Sequence, residues 1–231
     1  MQVSAIIPAA GLGKRMGGIK KPYLDLAGKP ILAYTLSVFQ QCSLVDDVRV
    51  VVAQGDEQDC IRDIIVPYGI HKADGVVTGG RTRQESVFNG LRRVTPNTDM
   101  VIVHDCARPF ITERMIQDTL EAASKWGAAT VAVPVKDTIK EVDDDIFVVR
   151  TLDRQKLWSI QTPQSFKYDL LLQAHLYARE NEIHVTDDAS LIEQLETHQV
   201  KLVMGTSENI KITTSGDLAI ARAILESGRK S

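Results

Sequence analysis

Two kinds of apolar segment alternate along most of this 231-residue chain, and that alternation restricts its fold more than any other feature. Dense apolar, often β-branched runs at Val3 to Pro8, Val48 to Ala53, Met100 to Val103, Ala128 to Val135 and Lys201 to Met204 read as strands. Between them, residues 31–41, 57–66, 82–94, 112–126, 167–180, 187–195 and 216–225 read as helices. In three of these the inward residues are Leu32, Leu36 and Phe39; Ile61, Ile64 and Ile65; and Val87 and Leu91. A chain written this way is expected to be α/β, a mostly parallel sheet with helices on both faces. Ligands of such sheets lie beyond the carboxyl ends of the strands, so the loops after Ile7, Thr78, Val103 and Val133 are the places for chemistry.

One stretch breaks the rhythm. From Lys136 to Leu152 two short strand-like runs flank the acidic turn Asp143-Asp144-Asp145, with no helix between them. An isolated hairpin is marginal in water unless it packs on something. The expectation is one domain over residues 1–231, with 136–155 protruding as a β-arm that embraces a second copy of the chain.

Bulk properties exclude several classes. A net charge of −3 is unlike the globally basic surface of a nucleic-acid coat protein, so no nucleic-acid partner is expected. The three cysteines, Cys42, Cys60 and Cys106, have no spacing of a disulfide framework or zinc site. Met1 leads straight into a strand, without the pattern of a signal peptide, and no apolar run approaches membrane-spanning length. The reading is of a cytoplasmic protein with no membrane partner.

The first strand empties into Ala9-Ala10-Gly11-Leu12-Gly13-Lys14-Arg15-Met16, followed by Lys20-Lys21-Pro22-Tyr23-Leu24. Glycines let backbone N–H groups approach an anion, and Lys14, Arg15, Lys20 and Lys21 would repel one another without a counterion. A nucleoside triphosphate satisfies both. The Walker loop is excluded because Gly17-Gly18-Ile19-Lys20 does not supply Gly-Lys-Ser/Thr. The dinucleotide fingerprint fails at Met16, where its third glycine belongs. A protein-kinase loop lacks its His-Arg-Asp and Asp-Phe-Gly partners. The plain alternative is a strand-to-helix turn with solvated lysines.

Other segments compete with equally plain readings. Gly79-Gly80-Arg81-Thr82-Arg83-Gln84-Glu85-Ser86 is a glycine turn opening a helix, either a nucleoside contact through Ser86 or a capping box of Thr82 with Glu85. Asp105, ending the strand before Cys106-Ala107-Arg108, suits Mg²⁺ held with phosphate oxygens, or else a turn cap paired with Arg108. His104 and Cys106 alternate away from it and read as packing residues. Lys211 sits in an apolar stretch, Asn209 to Thr213, read as a strand; it is a phosphate contact or a solvated edge lysine. Thr138, Arg150 and Arg154 surround the hairpin, as contacts to an anionic substrate or as solvated surface. Asp187 and Asp188 read as an N-cap with dipole complementarity.

Seven ordered motifs then carry a resemblance: AAGLGKRMG with KKPYL, GGRTRQESV, VHDCARPF, VPVKDTIK, LWSIQTPQSF, TDDASLIE and NIKITT. Over about residues 3 to 225 the chain resembles the 2-C-methyl-D-erythritol 4-phosphate cytidylyltransferases. The resemblance implies a Rossmann-like nucleotidyltransferase fold and a homodimer joined by β-arms. It also implies Mg²⁺-dependent transfer of CMP from CTP to methylerythritol phosphate, with release of pyrophosphate. By resemblance Arg15 and Lys21 are the catalytic cations and Asp105 is the metal ligand. Ala9, Ala10, Gly11, Gly13, Gly79, Gly80, Ser86 and Lys211 would hold CTP; Arg108, Thr138 and Arg154 would hold the sugar-alcohol phosphate, the last two in a neighbour's pocket. Pro22 stands where the family commonly has Gln, which leaves Lys20 and Lys21 as alternatives, and Arg81 replaces a frequent acid. Ribitol 5-phosphate cytidylyltransferase shares most nucleotide motifs and is the alternative activity.

Overall fold

A computed structural model of the chain describes residues 1–11 and 20–228. The first part of the chain runs β1 Val3–Pro8, a 3₁₀ turn Lys21–Tyr23, β2 Asp25–Leu26, β3 Lys29–Pro30 and α1 Ile31–Gln41. It continues through β4 Asp47–Val52, α2 Glu57–Cys60 with a π turn Ile61–Ile65, β5 Gly75–Thr78 and α3 Arg83–Leu91. The middle holds β6 Met100–Val103, α4 Glu113–Trp126, β7 Ala128–Pro134, β8 Lys140–Val142 and β9 Val148–Thr151. The last part holds β10 Trp158–Lys167, α5 Tyr168–Glu180, α6 Asp188–Glu193, β11 Lys201–Met204 and α7 Ser215–Gly228.

Seven strands form the main sheet in the order β11-β7-β10-β6-β1-β4-β5. Every neighbouring pair is parallel except those made by β10, which runs antiparallel to β6 and to β7. Central strands β1, β4 and β6 are buried almost throughout and mostly apolar because both faces are covered, with Ser4, Asp47 and Arg49 the buried polar residues among them. Val3, Ala5 and Ile7 of β1, with Val48, Val50 and Val52 of β4, pack toward α1, α2 and α4. Their alternates Ile6 and Val51, with Val101 and Val103 of β6, pack toward α3, α5 and α6. The α/β class with helices on both faces is therefore as the alternation predicts.

Three elements correct the sequence reading. β10 is not evident in the sequence, since more than half of Trp158–Lys167 is polar; Gln164 and Ser165 are nonetheless fully buried and paired on both sides. The helix over 57–66 is one α turn running into a π turn. Asn209 to Thr213 is not a strand: it crosses the end of the sheet as a loop, tied down by the Ile212 N–H donating to Ala107 O at 2.9 Å. The segment after β7 forms the expected hairpin, β8 against β9, with every residue of both strands exposed.

Candidate active site

β1 lies between β4 and β6, so the chain leaves it toward one side of the sheet and reaches β6 on the other. The crevice at such a reversal is where α/β sheets bind ligands. A cavity of about 300 Å³ opens there, lined by Pro8, Ala10 and Gly11 after β1, Gly80 to Arg83 and Ser86 after β5, Asp105 to Ala107 after β6, and Lys211. Three of the four expected loops thus converge; the one after β7 runs into the arm instead.

Small residues allow this convergence. The Ala9 N–H donates to Val51 O at 2.6 Å and the Gly79 N–H to Val52 O at 2.7 Å, which locks both loops onto the end of β4. A Cβ at Gly79 would sit 2.6 Å from Ala10 Cβ and 3.1 Å from Val52 O, so only glycine lets the two loops touch. Ala9 and Gly79 support the cavity from behind and do not line it. Thr82 caps α3, accepting from the Glu85 N–H at 3.0 Å. The expected reciprocal bond is different: Glu85 accepts from the Arg81 N–H at 2.7 Å. Ser86 Oγ donates to Thr82 O and accepts from the Gly80 N–H, so its proton is committed to the shape of the turn.

Asp105 is the focus of charge. Lys211 Nζ lies 2.6 Å from its Oδ2, Arg83 Nε 3.0 Å from Oδ1 and Arg108 Nε 3.8 Å from Oδ2. Burial would raise this carboxyl, but Arg83, Lys211 and Arg108 together hold it well below the usual carboxylate range. Burial disfavours the Arg108 guanidinium and lowers it from the ordinary arginine value. For Arg83 burial acts the same way, and the carboxylates of Asp188 and Asp105 more than offset it.

β10 supplies the support beneath. Thr162 Oγ1 accepts from the Asp105 N–H at 3.1 Å and lies 3.0 Å from His104 Nδ1, while His104 Nε2 is 3.0 Å from Arg108 O. One assignment satisfies all three bonds: the Thr162 proton goes to Nδ1, and Nε2–H donates to the carbonyl. Burial pushes this imidazole down to about 4, in keeping with that neutral form. His104 is the packing residue expected; Cys106, by contrast, borders the cavity. The side-chain amide of fully buried Asn209 donates to Gln161 Oε1 at 3.0 Å and to Thr162 O at 2.9 Å, and its backbone carbonyl accepts from Arg108 Nη1 at 2.7 Å, which holds the loop carrying Lys211. Gln161, Thr162 and Asn209 were not evident in the sequence as site residues, because their polar groups act only through strands distant in the chain.

Arg83 and Asp188 also escaped the sequence reading. Asp188 is 1% exposed and accepts from Arg83 Nη1 at 2.6 Å. It is a buried ion-pair partner, whereas Asp187 alone is the N-cap of α6. Arg15 and Gly13 lie outside the described residues, and Lys21 opens the 3₁₀ turn Lys21–Tyr23. Lys20 turns to Asp56, 2.5 Å away, and is not among the residues lining the cavity. Arg154, with Nη1 donating to Lys136 O, and Thr138 are both exposed at the base of the arm.

For a divalent cation the test is the donor set. Asp105 is the only carboxylate lining the cavity among the described residues, and no cluster of three or more His, Cys, Asp or Glu side chains forms an all-protein cage there. Mg²⁺ commonly takes one or two carboxylates and fills its shell with phosphate oxygens and water, so a single ionised aspartate beside a triphosphate-sized cleft fits it.

The family model described as IspD, 2-C-methyl-D-erythritol 4-phosphate cytidylyltransferase, matches residues 3–227. A relative of that name from Pelotomaculum thermopropionicum is 46% identical over 226 residues, covering 97% of this chain and 94% of its own. A bifunctional IspD/IspF enzyme from Desulforudis audaxviator is 48% identical over 225 residues, 97% of this chain and 57% of that protein. The crystal structure of 4-diphosphocytidyl-2C-methyl-D-erythritol synthase from Anaerococcus prevotii superposes with a TM-score of 0.86 at 36% identity, covering 97% of this chain and 96% of the other. That of the cytidylyltransferase from Thermus thermophilus gives 0.81 at 34% identity, covering 98% and 100%. By sequence along nearly its whole length, and by fold, this chain belongs to the 2-C-methyl-D-erythritol 4-phosphate cytidylyltransferase family.

Proposed function

We propose that the protein transfers CMP from CTP to 2-C-methyl-D-erythritol 4-phosphate, giving 4-diphosphocytidyl-2-C-methyl-D-erythritol and pyrophosphate, a step of isoprenoid precursor synthesis by the non-mevalonate route. The observation that carries the proposal is the cation-ringed aspartate at the floor of a cleft between two glycine loops.

The nucleophile is an oxygen of the phosphate monoester, already anionic near neutral pH because its second pKa is about 6. It attacks the α-phosphorus of CTP; the new P–O bond forms as the bond to the β-phosphate bridge breaks, and pyrophosphate departs with the electron pair. No general base is needed. The obstacle is repulsion between two anions, so catalysis consists of positioning and of charge compensation. The loops at Ala10–Gly11 and Gly80–Ser86 take the cytidine, Lys211 the triphosphate, and Arg15 with Lys21 the charge building on the α-phosphate and leaving group. Asp105 would hold Mg²⁺ in the cleft, and a bound Mg²⁺ neutralises phosphate charge.

Arg108, Thr138 and Arg154 take the sugar-alcohol phosphate. Thr138 and Arg154 stand at the root of the arm and not in the cleft of their own subunit, so they serve the cleft of a neighbour in a homodimer. Support comes from the apolar crest of the arm, where Ile146 and Phe147 are 79% and 72% exposed. No described helix is long and apolar enough to cross a membrane.

The test is pyrophosphate release with CTP and Mg²⁺, using methylerythritol phosphate beside ribitol 5-phosphate. Turnover on the first is expected. Preference for ribitol 5-phosphate would reassign the acceptor, and release with neither would end the proposal.

A further inference from the structure

A buried relay of hydrogen bonds reaches Asp105 from the far side of the cleft. It starts at Gln164 of β10, fully buried and opposite Val103 of β6. Gln164 Oε1 accepts from the backbone N–H groups of Asp188 and Ala189, each at 3.1 Å, and its Nε2 donates to Asp187 Oδ2 at 2.6 Å. The start of α6 is thereby pinned to the sheet. Asp188 then holds Arg83 Nη1 at 2.6 Å, and Arg83 Nε meets Asp105 Oδ1 at 3.0 Å. His175 Nε2, 3.8 Å from Asp188 Oδ1, is kept neutral by burial and does not compete for that charge.

The division of the guanidinium matters. Arginine is a planar fork that prefers to grip one carboxylate through two parallel bonds. Left to itself beside Asp105, Arg83 would take both oxygens and consume the carboxylate. Asp188 draws Nη1 toward α6 and so sets the angle of the guanidinium: Nε alone reaches Asp105, at Oδ1, and the buried Nη2 has no hydrogen-bond partner among the described residues. Oδ2 is left to Lys211, a single ammonium on a flexible stem that can exchange it for a phosphate.

We infer that Arg83, held by Asp188 and Gln164, is a positioning residue that fixes the plane of the Asp105 carboxylate and keeps its Oδ2 available to the reaction cleft. The inference rests on the function proposed above, in which Asp105 serves the triphosphate and its counterion. It adds a requirement that α6, remote from the glycine loops in sequence, be docked for the site to work.

Two full-length variants test it, by crystal structure and by steady-state kinetics: Asp188→Asn, which keeps shape and removes charge, and Arg83→Met/Asp188→Leu, which leaves no unpaired buried charge and so guards against simple unfolding. In Asp188→Asn, Arg83 is expected to close on both oxygens of Asp105; in the double variant the Asp105 carboxylate is expected to turn away from its parental plane. In both, kcat should fall on the order of 10²-fold, the scale of a small misplacement, with KM for CTP within about threefold of the parent. A purely structural role would lower thermal stability without that split. An Asp105 carboxylate in its parental orientation in both crystals, or parental kcat in the folded double variant, would overturn the inference. Should the parent itself fail to release pyrophosphate, the proposed function falls, and the orientation of Asp105 in the crystals decides the positioning claim by itself.

Discussion

His104 and Asp105 stand side by side at the end of β6, and burial drives them in opposite senses: it lowers the imidazole and would raise the carboxyl, were three cations not there to reverse it. Because the folded His104 value, about 4, lies below the ordinary 6.5, the unfolded chain binds the proton more readily. His104 therefore contributes full stability above pH 6.5 and loses it as pH falls toward 4, about 3 kcal/mol across that window at roughly 1.4 kcal/mol per unit. Burial lowers His175 as well, so it adds a loss of the same sign, while Asp105 contributes its loss only below the ordinary carboxylate range. Denaturant unfolding at pH 7 and pH 5 should show the protein less stable in acid, and His104→Asn should flatten that dependence. A second residue-scale prediction separates the neighbouring lysines. Lys20 is an exposed partner of Asp56, so Lys20→Ala should leave kcat within about threefold, as for an ordinary surface pair. Lys21→Ala and Lys211→Ala should each lower kcat by about 10²–10³, the scale of one preorganised donor. Loss of activity on removing Lys20, with Lys21→Ala near normal, would exchange their roles.

Among elements, α3 is seated by what it lacks. Gly90 faces the sheet, where an added Cβ would lie 2.7 Å from Ile6 Cγ2 and 3.0 Å from Val51 Cγ2. Alanine is the better helix former by about 1 kcal/mol, yet Gly90→Ala should destabilise by about 1–3 kcal/mol through overpacking; a higher melting temperature would contradict the packing argument. The β8–β9 arm poses the converse case, apolar side chains that nothing among the described residues covers. If the proposed homodimer is joined by this arm, Phe147→Ser/Val149→Ser should shift sedimentation from dimer to monomer while leaving the far-ultraviolet circular dichroism unchanged. An unaltered dimer would detach the arm from assembly. Elements built on a dense apolar run or a clear helical period were legible in the sequence, β1, β4, β6, α1 and α4 among them. β10 was not, since Gln161, Thr162, Gln164 and Ser165 look like a loop until their partners on β6, β7 and α6 are known. Asn209 to Thr213 failed the other way: its alternating pattern mimics a strand, although Ile212 is buried beside Leu26 and Ile31, away from the main sheet.

At the scale of the molecule, the topology brings together the ends of β1, β5 and β6 with the loop that precedes α7, and those are the segments that carry most of the glycines and charges singled out by residue type. Half of the site was legible for that reason: Gly80, Asp105 and Lys211 advertise themselves locally. The other half acts at a distance. Arg83 and Asp188 are separated by 105 positions and Thr162 from Asp105 by 57, so their pairing depends on the folded sheet and leaves no periodic signature. On the proposed function, this one cleft, and no other concavity formed by the described residues, brings the triphosphate to a ring of cations around Asp105. The most direct measurement is a crystal structure with CTP and Mg²⁺. Cytidine is expected between the Ala10–Gly11 and Gly80–Ser86 loops, with Lys211 Nζ drawn from Asp105 onto the phosphates; a nucleotide bound elsewhere, with the Lys211–Asp105 pair intact, would overturn the assignment of this cleft.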